Sequence, residues 1–416
     1  LIKPVSPRQV YISCKNTLES QSIKFNYNLQ EYISSFQKLA NNCNELNHID
    51  EWEKIISQFY LSKIKFDNSM QKDESINDII KYSYKVLNKE FSSFFLRNYK
   101  NWIDSERFQR PCLSTDIVDN YVIPSLNQKK NVTFIVMDCL SYDQFLAINE
   151  LFENDQKFNI KSCLSILPSS TLFSRNSIFS GLFPQEIEKE FNDIYKEIFI
   201  HNKNLNNYED VFLSRQIKLN NDEHTLFFKK INNYKEGVKL ARSIGDYNKK
   251  NLISIVVNFV DMLVHSNSSP ILDEIANNEK SYRSTISMWF KDSWLYEFIK
   301  INKELGRKII ITSDHGSVKV KNPVLIKGDS DTSTGLRYKE GRNIFVSDKK
   351  GFFIEDPLKF KLPKKSINSN YVIARDENFF LYPTKYNFYS KKYLNTFQHG
   401  GVSIKELFLP LAILDE

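Results

Sequence analysis

Hydrophobic positions recur with the period of an α-helix from about residue 21 to residue 110. The breaks between the apolar stripes are polar clusters, and Asp50 with Glu53 resembles a capping box at the start of the second helix. This pattern predicts a three-helix bundle, with the stripes as its core. The stripes are Leu29, Tyr32, Ile33, Phe36 and Leu39; then Trp52, Ile55, Ile56, Phe59 and Tyr60; then Ile76, Ile79, Ile80, Leu87, Phe91 and Phe95.

The pattern changes after Pro111, where short β-rich apolar runs alternate with helical ones. Alternating strands and helices predict an α/β fold with a mostly parallel sheet flanked by helices. Three of the runs are each followed within a few residues by an acid, namely Asp138, Asp261 and Asp314. Since ligands bind at the carboxyl ends of parallel strands, these acids are expected to converge on one site. The three runs are Thr133–Met137, Ile253–Phe259 and Ile309–Thr312.

Three histidines accompany these acids. Asp261 and His265 have i, i+4 spacing, which places both on one face of a helical turn. His315 follows Asp314 directly, and His399 lies in a Gln-His-Gly-Gly turn. With only 6 histidines in 416 residues, this placement is unusual, and the other three show no such association. Imidazole nitrogen and carboxylate oxygen are zinc ligands, so three His and three Asp could hold two zinc ions.

A hydroxyl-rich segment between Pro168 and Gly181 offers a nucleophile. Three adjacent hydroxyls in it, Ser169, Ser170 and Thr171, are candidates, and the alternative role of Thr171 is to cap a helix. Arg175 and Asn176 follow in the same segment. Arg175 either faces a phosphoryl group or pairs with a nearby acid, and the residues alone leave both possibilities open.

The composition narrows the class of protein. Of all residues, 41% are hydrophobic and 26% are charged, which excludes wholesale disorder. No apolar run reaches the roughly 18 residues that a membrane span needs. The 5 scattered cysteines contain no Cys-x-x-Cys pair, so neither a disulfide framework nor a thiolate zinc site is expected. We expect a cytoplasmic protein.

The stretch after His315 is basic, which suits an anionic substrate. Arg337 and Arg342 are candidate substrate-binding residues, together with Arg175 and Asn176. The alternative is a solvated loop surface. A net charge of +7 agrees with an anionic substrate but does not by itself indicate DNA binding. The basic side chains are Lys319, Lys321, Arg337, Lys339 and Arg342.

The order Asp, Thr, Asp-x3-His, Asp-His, His resembles the alkaline phosphatase superfamily over residues 126–416. Two motifs are similar to its PglZ branch: Asp-Cys-Leu-Ser-Tyr-Asp, which begins at Asp138, and His-Gly-Gly-x-Ser-x-x-Glu, which begins at His399. The resemblance implies Thr171 as nucleophile and two zinc ions. One ion would be held by Asp261, His265 and His399. The other would be held by Asp138, Asp314 and His315 with the Thr171 oxygen.

Further short motifs resemble PorX-type response regulators of the bacterial type IX secretion system, among them Lys321-Asn-Pro and Tyr393-x-x-Thr-Phe-Gln-His. The first residues, Leu-Ile-Lys-Pro and a helix-like run, are similar to the end of a receiver domain, although a frayed helix start explains them equally simply. The resemblance implies a receiver remnant at 1–20, a helical bundle at 21–125 and a PglZ domain at 126–416. Insertions near 183–250 and 318–398 would cap its metal site.

The leading hypothesis from this resemblance is a dizinc phosphodiesterase that hydrolyses cyclic or linear oligonucleotides and regulates type IX secretion. A cognate histidine kinase would act through the missing receiver, whose phosphorylation would control homodimerisation. A sigma factor and secretion components are further implied partners. The alternative is a signalling scaffold whose zinc site is structural or senses a nucleotide. A phosphomonoesterase stays open, whereas a sulfatase needs a Cys or Ser in place of Thr171.

Overall fold

The computed structural model describes residues 33–43, 46–69, 74–153, 156–221, 223–265, 278–329, 335–346 and 350–415. The described chain divides into two compact units after Glu90. Residues 1–20, which the sequence assigns to a receiver remnant, lie outside the described residues, as do Leu29 and Tyr32 of the first stripe.

The first unit is helical, as the apolar stripes predict. Phe36 and Phe59 are buried and meet edge to face, with their ring centroids 5.4 Å apart. The capping box of the second helix lies two residues earlier than predicted, because the side chain of Glu51, not Glu53, accepts the His48 backbone N–H at 3.1 Å. The helices are α1 (residues 33–42), α2 (Ile49–Asn68) and α3 (Glu74–Asp104), and α3 continues past Glu90.

The second unit alternates strands and helices. Its helices are α4 (Ile123–Asn127), α5 (Tyr142–Asn149), α6 (Thr171–Ser180), α7 (Pro184–Glu190), α8 (Asn192–Tyr195), α9 (Glu209–Lys218), α10 (Tyr234–Ser243), α11 (Phe259–His265), α12 (Glu279–Lys291), α13 (Trp294–Glu304), α14 (Tyr386–Tyr393) and α15 (Ile404–Leu407). Its strands are β1 (Val132–Met137), β2 (Asn159–Leu164), β3 (Leu226–Ile231), β4 (Leu252–Val257), β5 (Lys308–Ser313), β6 (Val318–Lys319), β7 (Asn322–Leu325), β8 (Tyr338–Arg342), β9 (Gly351–Ile354), β10 (Ser369–Ala374), β11 (Asn378–Leu381), β12 (Phe397–Gln398) and β13 (Phe408–Leu414).

A central six-stranded sheet has the order β2-β13-β5-β1-β4-β3, and β13 alone runs antiparallel to its neighbours. The predicted α/β class with a mostly parallel sheet is therefore confirmed. The strands β1 and β4 are buried along their whole length, which explains their continuous runs of apolar residues. Met137 at the end of β1 lies beside Ser313 of β5 and Val257 of β4. The carboxyl ends of these three strands are thus adjacent.

The two segments predicted as insertions contain different structures. Segment 183–250 includes four helices and β3, an edge strand of the central sheet, so part of this segment belongs to the sheet itself. Segment 318–398 forms an antiparallel sheet of β8, β10 and β9, and two small strand pairs. No helix in the described part of the chain is long and apolar enough to cross a bilayer.

Arg307 lies at the amino ends of the central strands, on the edge opposite the acids. The side chain is fully buried, and it donates to the carbonyls of Val132 at 2.7 Å and Lys250 at 2.9 Å. A third bond, at 2.9 Å, reaches the Thr133 hydroxyl. No acid forms an ion pair with it among the described residues, and burial lowers its pKa to about 10. The guanidinium therefore holds the strand ends through their carbonyl groups.

We predict that Arg307→Met lowers the free energy of unfolding by about 2–4 kcal/mol, because the buried carbonyls lose a charged donor. Urea unfolding followed by tryptophan fluorescence measures the change. Arg242→Met, at an exposed position on α10, serves as the control and should stay within about 0.5 kcal/mol of the wild type. Equal stabilities of the two variants would contradict the role given to Arg307.

Candidate metal centre

The strand order brings the three strand-end acids to one edge of the sheet. Asp138 directly follows β1, Asp314 directly follows β5, and Asp261 lies in α11 just after β4. Because β5, β1 and β4 are neighbours, the side chains gather at their carboxyl ends. They form two groups of potential metal ligands: Asp138, Asp314 and His315, and Asp261, His265 and His399. Within each group the ligand atoms lie within 4.8 Å of one another.

The first group is buried. His315 Nε2 lies 3.7 Å from Asp138 Oδ1 and 3.8 Å from Asp314 Oδ2. The other oxygen of each carboxylate is fixed by the protein. Asp314 Oδ1 accepts the backbone N–H groups of His315 at 2.9 Å and Cys139 at 3.2 Å, and Asp138 Oδ2 accepts a hydrogen bond from Arg175 at 2.6 Å. Each acid thus keeps one buried oxygen, Asp138 Oδ1 or Asp314 Oδ2, without a hydrogen bond.

The second group adjoins the first. Asp261 Oδ1 lies 3.3 Å from His265 Nε2 and 3.9 Å from His399 Nε2. The rings of His399 and His315 stack with centroids 4.2 Å apart, and so connect the two groups. A hydrogen bond with Asp261 raises the pKa of His265, while burial and the nearby His315 hold the pKa of His399 well below its usual range. His399 is therefore neutral near pH 7, the form that binds a metal.

These residues fit a divalent cation. Burial and the neighbouring Asp138 raise the pKa of Asp314 to about 7, which shows how poorly the site accommodates two carboxylates without a further positive charge. The buried oxygens without hydrogen bonds and the mixed imidazole and carboxylate donors suit zinc. The six residues thus form a candidate metal centre with room for an ion in each group.

Thr171 lies beside the first group. It is the first residue of α6, and Ser170, not Thr171, occupies the N-cap position. Its hydroxyl oxygen lies 2.9 Å from His315 Nε2. His315 Nδ1 lies 3.1 Å from the Gly316 carbonyl, so Nδ1 carries the proton and Nε2 accepts from the Thr171 hydroxyl. Among the three candidate hydroxyls, Ser169 is fully buried and donates to the Gly401 carbonyl at 2.7 Å.

Arg175 and Asn176 are buried within α6. The Arg175 guanidinium pairs with Asp138, which is one of the two roles that the sequence left open. Although burial opposes it, the nearby carboxylates of Asp138, Asp314 and Glu209 raise the pKa of Arg175 above its ordinary value. Asn176 donates to the carbonyls of Leu172 and Leu205 and so fixes the loop before α9. Substrate contact by either residue stays a prediction.

Arg337 supports the turn that carries His399. It is fully buried, and its guanidinium makes two hydrogen bonds, 2.9 and 2.6 Å long, to the Glu406 carboxylate. Glu406 also accepts the Gly401 backbone N–H at 2.8 Å, and Ser403 caps α15. Substrate binding by Arg337 stays a prediction that this arrangement does not support, because no guanidinium surface is exposed. Arg342 is about half exposed, 3.6 Å from Asp329.

Two residues of this region were not anticipated. Glu209, which is buried, and Lys230, which is partly exposed, form an ion pair behind Arg175, with 2.8 Å between Lys230 Nζ and Glu209 Oε2. Neither residue lies in a motif, and no spacing in the sequence signals their pairing, since they are brought together by the packing of α9 on β3.

Residues 117–413 match the family model of the BREX system PglZ alkaline phosphatase-like domain. The match spans more than half of the chain, and the chain therefore belongs to the PglZ family. No curated protein matches the sequence.

Several solved structures are similar in fold. Murine ectonucleotide pyrophosphatase/phosphodiesterase 5 is 13% identical, with a TM-score of 0.48 over 68% of this chain and 88% of that chain. The human protein is 14% identical, with a TM-score of 0.44 over 68% and 87%. Phosphonoacetate hydrolase from Sinorhizobium meliloti 1021, in complex with phosphonoformate, is 9% identical, with a TM-score of 0.38 over 68% and 89%. Similarities this distant do not transfer an activity.

We predict that Gly401→Ala disrupts the His399 turn. A Cβ atom at this position would lie 2.2 Å from Arg337 Nη2, so the Arg337–Glu406 pair must move. We expect about a tenfold or greater loss of zinc affinity in one of the two groups, measured by competition with a chelator. Gly245→Ala is the matched control, because no atom lies within 4 Å of its Cβ position. Unchanged zinc affinity in Gly401→Ala would show that the turn tolerates displacement of Arg337.

Proposed function

We propose that this chain is a zinc-dependent phosphodiesterase in which Thr171 is the nucleophile. The observation that carries the proposal is the position of the Thr171 hydroxyl, 2.9 Å from His315 Nε2 and beside the buried acids of the first ligand group. Membership of the PglZ family, with its alkaline phosphatase-like domain, supports the same chemistry.

Asp138, Asp314, His315 and Thr171 would hold one ion, and Asp261, His265 and His399 the other. Two zinc ions at these positions would act as Lewis acids on the attacking and leaving oxygens of a displacement at phosphorus. His315 Nε2 lies 2.9 Å from the Thr171 oxygen, so an ion held by His315 would also have the Thr171 oxygen within reach. Because Thr171 is the first residue of α6, a phosphoryl group on its oxygen would lie at the N-terminus of this helix, where backbone N–H groups favour an anion.

The reaction has two steps. In the first, a bond forms between Thr171 Oγ1 and phosphorus while the bond from phosphorus to the leaving oxygen breaks; the proton of the threonine hydroxyl passes to solvent, and the leaving oxygen takes up a proton from solvent. In the second, water attacks the phosphothreonine, the bond between Oγ1 and phosphorus breaks, and the threonine hydroxyl is restored.

The substrate that we propose is a cyclic or linear oligonucleotide. The net charge of +7 favours an anionic substrate in general. The Arg342 side chain, which is half exposed and lies 3.6 Å from Asp329, is on β8. This strand begins with Tyr338, beside the Gly400 turn. Lys339 is not available in the same way, because it is buried against the ring of Tyr382.

We further propose that the chain comes from a PorX-type response regulator. Two observations support this proposal: the short motifs that the chain shares with those regulators, and the helical region before the PglZ domain. A histidine kinase would act through a receiver, and phosphorylation would control a homodimer in the cytoplasm. A sigma factor and components of the type IX secretion system would be partners. In this arrangement the helical region transmits the signal from receiver to PglZ domain.

Thr171→Ala should abolish turnover without reducing the metal content. We expect about two zinc ions per chain and at least a thousandfold loss of kcat, since the variant lacks the oxygen that bonds to phosphorus. His399→Ala should lose turnover and one zinc ion. The assays are metal analysis and hydrolysis of bis-p-nitrophenyl phosphate and short oligoribonucleotides.

Ser177→Ala is the control, because this buried α6 hydroxyl has no hydrogen-bond partner among the described residues, and its turnover should equal that of the wild type. Turnover retained by Thr171→Ala would exclude this nucleophile. Two bound zinc ions without turnover of any ester by the wild type would instead support the signalling scaffold.

Arg342→Gln should affect only substrates that extend beyond the metal centre. We expect KM for a short oligoribonucleotide to rise about three- to tenfold at low salt, with kcat unchanged, because an exposed arginine contributes mainly to phosphate binding. Bis-p-nitrophenyl phosphate should be hydrolysed at the wild-type rate. Arg242→Gln controls for the loss of one exposed charge, and an equal KM increase in both variants would remove Arg342 from the substrate site.

A further inference from the structure

A row of charged side chains runs from the edge of the central sheet to the metal centre. Lys230 lies on the edge strand β3, Glu209 is the first residue of α9, and Arg175 lies on α6. The row ends at Asp138, so three separate elements of the fold act on one candidate ligand.

The contacts along this row are close. Lys230 Nζ lies 2.8 Å from Glu209 Oε2, and Glu209 Oε1 lies 3.3 Å from Arg175 Nε. The next contact, from Arg175 Nη1 to Asp138 Oδ2, is 2.6 Å. Glu209 is fully buried and Arg175 is 3% exposed, whereas the Lys230 side chain is 22% exposed. The Lys230 end of the row is therefore partly exposed to solvent, and the Arg175 end is buried.

The charges of the row explain why each member is needed. A buried carboxylate is tolerated only when it is paired, and Glu209 has a cation on each of its two oxygens. Glu209 Oε1 and Arg175 Nε form an ion pair without a hydrogen bond, so the attraction between them is electrostatic. It draws the Nε edge of the planar guanidinium towards Glu209 and leaves Nη1 at Asp138. Glu209 therefore sets the orientation of the Arg175 group that binds Asp138.

The row affects the two carboxylate oxygens of Asp138 differently. Arg175 occupies Oδ2, and Oδ1 keeps no hydrogen bond although it is buried. Oδ1 is also the oxygen that lies 3.7 Å from His315 Nε2, on the side of the other ligands. An Asp138 that lost this restraint could rotate and present either oxygen or both.

We propose that Glu209 is a positioning residue of the metal centre, which acts through Arg175 to present Asp138 as a ligand with one oxygen, while Lys230 anchors Glu209 to the sheet. This inference rests on the proposed metal-dependent function and adds a residue to it. The Asp261, His265 and His399 group has no contact with the row in the described part of the chain. Its affinity for zinc should therefore be independent of Glu209.

The test compares two variants with their neighbours in sequence. Glu209→Gln keeps the shape of the side chain but turns an amide N–H group towards a cation. Asp210→Asn, the next residue of α9 and exposed, is its control. Lys230→Gln is compared with Lys229→Gln in the same way. Each metal-free chain is checked for folding by circular dichroism and titrated with zinc against a competing chelator, and kcat and KM are measured on bis-p-nitrophenyl phosphate.

We expect Glu209→Gln to weaken one of the two zinc-binding steps by about ten- to a hundredfold, and the other by less than twofold. The value of kcat should fall while KM changes little. Lys230→Gln should weaken the same step less, because its side chain is partly exposed, and the two controls should behave as the wild type. Because Lys230 is partly exposed, we expect Lys230→Gln to fold. Its zinc affinity therefore tests the inference even if Glu209→Gln does not fold.

The outcomes separate this inference from the proposed function. Wild-type affinity for both ions in Glu209→Gln and Lys230→Gln would overturn the inference and leave the proposed function intact. Equal weakening of both steps would also overturn it, since that result indicates a general loss of structure. Selective weakening in a chain that hydrolyses no ester would support the role of Glu209 and contradict the phosphodiesterase. A wild-type chain that binds no zinc would contradict both.

Discussion

The structure depends on one electrostatic constraint, the burial of Asp138 and Asp314 side by side at the ends of neighbouring parallel strands. Each carboxylate has one oxygen fixed by hydrogen bonds and one buried oxygen without any. Burial, and after it the repulsion from the neighbouring Asp138 carboxylate, raises the pKa of Asp314. A divalent cation would relieve the repulsion, which is why this arrangement is a candidate metal centre.

The remainder of the unit holds these ligands in place. Arg337 and Glu406 secure the turn of His399, and Arg175 secures Asp138. At the opposite edge of the sheet, Arg307 binds carbonyl groups at the strand starts. Stability and chemistry are therefore placed at opposite ends of the same strands, as expected for an α/β sheet whose ligands bind at the carboxyl edge.

Much of the fold and of the candidate site could be predicted from the sequence. Each acid follows a strand of buried residues, and strand ends meet in a parallel sheet, so their convergence needs no knowledge of distant contacts. The partners of long charged side chains could not be predicted in this way, because they are determined by packing between elements that are far apart in the sequence. Arg337 was expected at a substrate but is bonded to Glu406, and nothing in the sequence indicates the Glu209–Lys230 pair. The start of α2 was also misplaced by two residues, since the observed capping box pairs His48 with Glu51, whereas the predicted one pairs Asp50 with Glu53.

The most direct test of the account is the thermal unfolding temperature of the purified chain with and without a strong chelator, measured together with its zinc content. The account predicts about two zinc ions per chain and a clear fall in the unfolding temperature when they are removed, because the buried carboxylates then lack their counter-charge. A chain that takes up no zinc when it is supplied, and unfolds at the same temperature with and without chelator, would contradict the metal centre.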